Sequence, residues 1–243
     1  MTDSIRLSKL MASQGLCSRR EADQLIQSGQ VSVDGIIIRE LGSKVSPQAK
    51  IQLSASANKK RRQLATILLN KPPGIVSNQP EKGYAEASSL IVTENRLDSK
   101  ENGQRPVPAP HTLNVAGRLD IDSSGLLILT QDGSIARQLI SPDSEIEKEY
   151  RVRIQGLVSD KTLSLLRHGL SLDGKALRPA VIRQLEPNLL MFTLKEGRKR
   201  QIRRMCELVD LEVKTLTRVR VGRIRLGTLP RGKWRHLSPG EAF

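Results

Sequence analysis

The segment 117–130, Gly-Arg-Leu-Asp-Ile-Asp-Ser-Ser-Gly-Leu-Leu-Ile-Leu-Thr, sets a carboxylate, Asp120, in a Gly- and Ser-rich turn that runs straight into an apolar strand. A carboxylate held there can act as a nucleophile or a base. Two plainer accounts compete. Asp, Ser and Gly are ordinary turn formers, and Asp120, Asp122, Ser124 and Gly125 also fit positions one, three, five and six of a calcium loop. Position twelve of that loop is Gln131, which offers no bidentate carboxylate, and a leucine-rich strand replaces its second half, so no metal is expected.

Three further groups stand in fixed order around Asp120. Upstream, Lys71-Pro72-Pro73-Gly74 ends a strand in a rigid corner. Downstream, Lys148-Glu149-Tyr150 opens another strand; a tyrosine there is by default half-buried packing, but the chain has only two. Last comes Gly197-Arg198-Lys199-Arg200-Gln201-Ile202-Arg203-Arg204, which starts a helix expected to place Arg200, Arg203, Arg204 and Glu207 on one side and Ile202, Met205 and Cys206 on the other. Residues 195–225 hold eleven basic and four acidic residues, a net +7, and such density reads as a phosphate-binding surface.

These groups need a scaffold. Residues 5–27 read as two short helices with a turn at Ser13-Gln14-Gly15, the second opening on a capping box of Ser18 and Glu21. Residues 30–38 read as a hairpin turning at Asp34-Gly35, and 45–53 as a further strand. Residues 54–63 lack apolar periodicity and carry Lys59-Lys60-Arg61-Arg62, so they read as a basic linker able to touch phosphate. Beyond it, strands are expected at 64–70, 126–130, 150–154 and 189–194, and helices at 133–140, 161–169 and 200–208. Several strands are joined too briefly for helical crossovers, which favours α+β with a mostly antiparallel sheet. The expected division is residues 1–62 and 63–243. The polar, Pro-rich stretch 78–111, with Asn102-Gly103 and Pro106-Val107-Pro108-Ala109-Pro110, reads as an exposed excursion.

Composition narrows the partner. The 243 residues carry 40 Lys and Arg against 25 acids, a net +15, which attracts nucleic acid or an anionic membrane. No apolar run approaches the ~20 residues needed to span a bilayer, and the N-terminus lacks a hydrophobic signal core. No membrane association and a cytoplasmic location are expected. Cys17 and Cys206 lie too far apart in sequence for a redox pair or a thiolate cluster. Aromatics are only 2% of the chain, too few to stack bases across a sheet, so affinity for RNA must come mainly from phosphates.

The order Gly117-Arg118-Leu119-Asp120, then Asp122-Ser123 and Gly125-Leu126, resembles the active-site signature of RNA pseudouridine synthases. Lys71-Pro72-Pro73-Gly74, Lys148-Glu149-Tyr150 and Gln201-Ile202-Arg203 fall where the ribosomal small-subunit-type branch of that family has its other motifs, and the chain looks closest to members acting on large-subunit RNA. Arg6-Leu7-Ser8-Lys9, Cys17-Ser18-Arg19-Arg20-Glu21-Ala22 and Val31-Ser32-Val33-Asp34-Gly35 are similar to S4 RNA-binding domains. The resemblance implies Asp120 as the catalytic carboxylate, Tyr150 stacked on the target uracil, and Arg203 paired with Asp120. It implies RNA contacts from Arg6, Lys9, Arg19 and Arg20. Basic residues framing the cleft, Lys71, Arg118, Arg198, Arg200 and Arg204, are assigned to RNA as well, with Arg118 filling the space left by a flipped base or holding its phosphate.

No cofactor is implied. The expected reaction breaks the uracil N1–C1′ bond of a specific uridine, rotates the base and rejoins it through C5, with Asp120 either attacking C1′ or removing a sugar proton to form a glycal. Ribosomal RNA is the expected partner, 23S RNA in particular, with transfer RNA as an alternative, and the protein is expected to be a monomer. Two rival readings remain: a noncatalytic RNA-binding or ribosome-assembly factor, and a DNA-binding regulator using residues 18–27 as a recognition helix. The first leaves the ordering of four motifs without a reason, and the second wants a dimer interface that the sequence does not offer.

Overall fold

The computed structural model describes residues 4–79, 83–97 and 105–243. The N-terminal unit begins with strand β1 (Ile5–Arg6) and helices α1 (Leu7–Ser13) and α2 (Arg19–Gln27). Ser18 caps α2 through the Glu21 amide, and Glu21 answers through the Ser18 amide, the expected reciprocal box. Strands β2 (Val31–Val33) and β3 (Ile36–Ile38) form the hairpin, with Asp34 and Gly35 both at positive φ as the tight turn demands. The expected single strand at 45–53 is two: β4 (Lys44–Val45) pairs with β1, and β5 (Ile51–Leu53) pairs with β2. Leu7, Met11, Cys17, Ala22, Ile26 and Val31 close a small core of their own.

Residues 54–63 are not an aperiodic linker. They form helix α3 (Ala55–Arg62), capped by the Ser54 hydroxyl and burying one side chain, Ala57. Apolar periodicity could not reveal it. Its support is the cap and four cations in the last turn, where the helix dipole favours positive charge.

The rest is built on one large sheet. Strand β6 (Thr66–Lys71) is followed by β7 (Asn114–Val115), β8 (Ser124–Thr130), helix α4 (Gly133–Ile140), β9 (Lys148–Gln155), helix α5 (Asp160–Arg167), the small hairpin β10 (Ser171–Leu172) and β11 (Lys175–Ala176), and β12 (Val181–Glu186) and β13 (Leu189–Leu194). Helix α6 (Gln201–Glu207), β14 (Glu212–Val221), β15 (Ile224–Arg225) and β16 (Trp234–His236) complete it. The sheet order is β12-β13-β9-β14-β8-β6-β16, with β15 on β14 and β7 on β8; every pairing is antiparallel except β14 with β8. The α+β class with a mostly antiparallel sheet is therefore correct.

Strand β8 is buried on both faces, which is why its sequence is a continuous apolar run rather than an alternation. Leu127 and Leu129 join one core with Tyr150, Val152 and the inner sides of α5 and α6, while Leu126 and Ile128 join another with Leu139 of α4. The stretch 78–111 is only partly as expected. Asn102-Gly103 lies outside the described residues, but Ala87 and Ile91 are fully buried, and Leu97 and Val92 hydrogen-bond to the backbone and indole of Trp234. Part of the described segment is thus packed onto β16, while Tyr84, Arg105, Pro106 and residues 109–111 are exposed as expected.

Candidate active site

Strands β7 and β8 form a hairpin whose tip is the loop 117–123, and Asp120 sits near its apex. The loop is tied down group by group. Ser77 Oγ donates to the Leu119 carbonyl at 2.6 Å and accepts from the Leu119 amide at 2.9 Å. The Gly74 amide donates to the Ile121 carbonyl at 2.7 Å, so the Pro-Pro-Gly corner grips the far side of Asp120. Arg218 Nη2 holds the Gly117 carbonyl at 2.9 Å, Arg203 Nη2 holds the Asp122 carbonyl at 3.2 Å, and the Ser123 amide closes a turn onto the Asp120 carbonyl at 3.1 Å. Such bracing fixes a carboxylate before substrate arrives, which is the condition for efficient catalysis by a single side chain.

The parallel pairing beside the loop explains one glycine. Gly125 has φ +103°, and a Cβ there would lie 2.3 Å from the Arg218 carbonyl oxygen, so β14 approaches as closely as it does only because residue 125 has no side chain. Arg218, 2% exposed, then threads back from β14, its Nε donating to the Leu126 carbonyl at 2.7 Å.

Asp120 opens into a cleft of about 960 Å³ whose wall includes Arg118, Tyr150, Lys148, Arg200 and Asn78. Its side chain is 34% exposed, and its one ion-pair partner among the described residues is Arg200, with Nη1 at 3.9 Å. Tyr150 is 9% exposed: it packs in the main core opposite Phe192 and Arg218 and lines the cleft as well, so packing and function are not alternatives for it. Lys148, two residues earlier on the same face of β9, reaches the same cleft. Its pKa is lowered by burial, helped by the Arg218 and Arg178 charges. Glu149 points to the other face, where Arg220 binds it and Glu147, each at 2.8 Å. That alternation is the structural content of the Lys-x-Tyr spacing.

Several expected assignments change. Arg203 is not paired with Asp120. It contacts Asp122 at 3.1 Å and the Val213 carbonyl at 3.2 Å, and it lies on the buried side of α6 with Ile202 and Met205. Arg200 sits just before the helix in left-handed backbone (φ 51°), and its side chain stands beside Asp120 and Asp122, so it, and not the Arg203 that the resemblance implied, is the arginine next to Asp120. Lys71 is not available to a phosphate, because it is fully buried and donates to the Pro72 and Ile75 carbonyls at 2.9 and 2.7 Å. Burial pulls its pKa down to about 8 against the opposing pull of Asp122 and Asp120. Arg198 is spent on the Leu172, Lys175 and Ala176 carbonyls of the β10–β11 hairpin. Arg204 grips Asp173 through both nitrogens, at 3.0 and 2.6 Å. Arg118, Arg6, Lys9, Arg19 and Arg20 are exposed. Sequence reasoning gave no role to Ser77, Asp122 or Arg218. Arg218 shares its alternation along β14 with Glu212, Lys214, Leu216 and Arg220, so no apolar stripe marks it as buried.

Residues 65–208 match the family model of RNA pseudouridylate synthases, and residues 5–51 match the S4 domain. The chain belongs to the RNA pseudouridine synthase family. It is 35% identical to the ribosomal large subunit pseudouridine synthase B of Bacillus subtilis (strain 168), covering 97% of this chain and 93% of that one. An uncharacterized RNA pseudouridine synthase of Aquifex aeolicus (strain VF5) is 34% identical, with 98% and 92% covered. The dual-specificity RNA pseudouridine synthase RluF of Escherichia coli (strain K12) is 33% identical over 98% of this chain and 77% of its own. Among solved structures, a crystal structure of a pseudouridylate synthase aligns with a TM-score of 0.64 at 25% identity, covering 97% and 96% of the two chains. An S4 domain followed by a pseudouridine synthase domain is thus the architecture of this enzyme, and among the described residues no helix is long and apolar enough to cross a membrane.

Proposed function

We propose that this pseudouridine synthase isomerises a specific uridine of large-subunit ribosomal RNA and that Asp120 is its catalytic carboxylate. The observation that carries the assignment is the placement of Asp120: a partly exposed carboxylate at the tip of a fully braced loop, facing a cleft lined by Tyr150, Arg118 and Lys148. The ribosomal substrate is supported by the Bacillus subtilis relative, a ribosomal large subunit pseudouridine synthase. Transfer RNA is the second substrate to test, because the Escherichia coli relative is named for dual specificity. A monomer in the cytoplasm is the working form.

A stacked uridine exposes neither C1′ nor C5 to a side chain, so the base must be flipped, at about a few kcal/mol. Arg118, exposed beside Asp120, fills the vacated position or holds the flipped phosphate. The Tyr150 ring stacks on the uracil. Asp120 then attacks C1′ or takes a sugar proton as the N1–C1′ bond breaks; the base turns and C5 bonds to C1′ as the Asp120–C1′ ester bond breaks or the sugar proton is returned, and the C5 proton leaves to solvent while N1 gains one. Arg203 acts by position, holding the carbonyl and carboxylate of Asp122 so that the loop keeps its shape. Residues 1–62 select and orient the RNA, and residues 63–243 perform the reaction.

Asp120→Asn tests this, because it preserves size and removes the charge. Release of tritium from 5-tritiated uridine in large-subunit RNA should vanish, while RNA affinity holds or rises slightly. A folded Asp120→Asn protein, shown so by its melting curve, that releases tritium at the wild-type rate would overturn Asp120 as the catalytic carboxylate; no tritium release by the wild type itself would leave a noncatalytic RNA-binding role.

A further inference from the structure

Helix α3 lies outside both matched spans, 5–51 and 65–208. Its last turn carries Lys59, Lys60, Arg61 and Arg62. Arg61 reaches back to Glu21 at 3.8 Å, and Glu21 stands in the first turn of α2 directly after Arg19 and Arg20. The two helix ends therefore meet at this ion pair. Lys59, Lys60 and Arg62 are exposed, as are Arg19 and Arg20, and none of the five has an ion-pair partner among the described residues. Uncompensated cations massed this way are held together only against their mutual repulsion, which a polyanion relieves.

Their position relative to the cleft favours one polyanion. Ser18, the cap of α2, packs so closely on Gly133 that a Cβ there would lie 2.4 Å from the Ser18 Cβ. The basic helix ends thus sit at the beginning of α4, and the far end of α4, Ile140 and Ser141, walls the cleft. Eight helical residues span about 12 Å, so an RNA strand or stem entering the cleft is within reach of both sites.

We infer that Lys59, Lys60 and Arg62 form, with Arg19 and Arg20, a phosphate-binding site for the RNA flanking the target uridine, and that α3 is part of the substrate interface rather than a tether between domains. The inference rests on the RNA-modifying reading of the cleft, but its test does not depend on catalysis. In the full chain, Lys59→Ala, Lys60→Ala and Arg62→Ala are combined; alanine keeps the helix. Binding to a full-length large-subunit RNA transcript is followed against salt. Three lost contacts should flatten the slope of log affinity against log salt by roughly 2.1 to 2.7, so the wild type loses roughly 20- to 40-fold more affinity than the variant between 50 and 200 mM. The single-turnover rate with enzyme saturating should stay within about twofold, since the cleft is untouched. A charge-conserving set, Lys59→Arg, Lys60→Arg and Arg62→Lys, should keep the wild-type slope. An unchanged slope in the alanine variant overturns the site, as does a flattened slope in the charge-conserving one. If the wild type forms no pseudouridine in this RNA, the substrate reading falls, and the slopes still decide the phosphate site.

Discussion

Around the loop 117–123 the cations turn inward. Lys71 donates to two carbonyls of its own corner, Arg198 to three carbonyls of a hairpin, Arg218 to Leu126 and Gly117, and Arg203 to Val213 and Asp122. In the N-terminal unit Arg6, Lys9, Arg19 and Arg20 face solvent with no acidic partner among the described residues. Residues 195–225 have the higher density of positive charge, yet most of it is already used: Lys195 pairs with Glu145, Arg204 with Asp173, Lys214 with Glu212 and Arg220 with two glutamates, leaving Lys199, Arg223 and Arg225 exposed and unpaired there. A count of arginines thus measures two different things. In one half it reports how a loop is braced, and in the other how a polyanion is held.

The contrast is broken most directly at Asp120, where the substitution to Asn should abolish turnover without loosening RNA. It is sharpened next at Lys71, the most inward cation of all. Its folded pKa of about 8 lies below the ordinary lysine value of 10.5. Below pH 8 both folded and unfolded chains carry this proton, and above 10.5 neither does; between them the unfolded chain binds more, so stability gains from rising pH in that window. Wild type should therefore become more stable relative to Lys71→Met between pH 8 and 10.5, by up to about 3 kcal/mol. Denaturant melts of both proteins across that window measure it. A difference that stays flat would mean that Lys71 is solvated and able to meet a phosphate.

Much of this arrangement was legible, and what was not has physical reasons. The helix Gly133–Ile140 and the strand Leu189–Leu194 follow from periodicity to the residue, and the Ser18–Glu21 box follows from capping chemistry. Helix α3 was not readable, since a helix that buries a single alanine shows no apolar stripe. The partner of Arg203 was not readable either. Asp120 and Asp122 are two residues apart in a turn, and which of them faces α6 depends on the left-handed backbone of Arg200, a conformation that no arginine advertises. The inward fate of Arg198 and Arg204 depends on carbonyls and a carboxylate brought in by the distant β10–β11 hairpin, whereas Lys71 folds back onto its own corner.

For the outward set, Arg19→Ala with Arg20→Ala should flatten the salt slope of RNA affinity by roughly 1.4 to 1.8 and leave the saturated single-turnover rate and the melting temperature near wild type. Each side chain is exposed, so its removal orphans no buried group. Titration of large-subunit RNA at several salt concentrations reads the slope. A wild-type slope with impaired folding would move these two residues into the structural class and erase the contrast between the halves.

The smallest expected change is at Arg204. By sequence it belongs to the same phosphate-binding helix face as Arg200, but both its terminal nitrogens are held by Asp173, a carboxylate at the turn of the β10–β11 hairpin, and this pairing raises the arginine pKa and lowers that of the aspartate. An RNA phosphate would have to displace a bidentate partner already in place, trading one charge-assisted pair for another with no net gain. Arg204→Gln should therefore leave both the salt slope and the turnover rate at wild-type values. Asp173→Asn is the informative companion, because freeing the guanidinium should let it contact RNA and steepen the slope by roughly 0.7 to 0.9. Should Arg204→Gln instead flatten the slope by that amount while Asp173→Asn changes nothing, Arg204 would be facing RNA in the bound state, and the rule that inward-paired cations are lost to binding would fail at the position where it is most exposed to test.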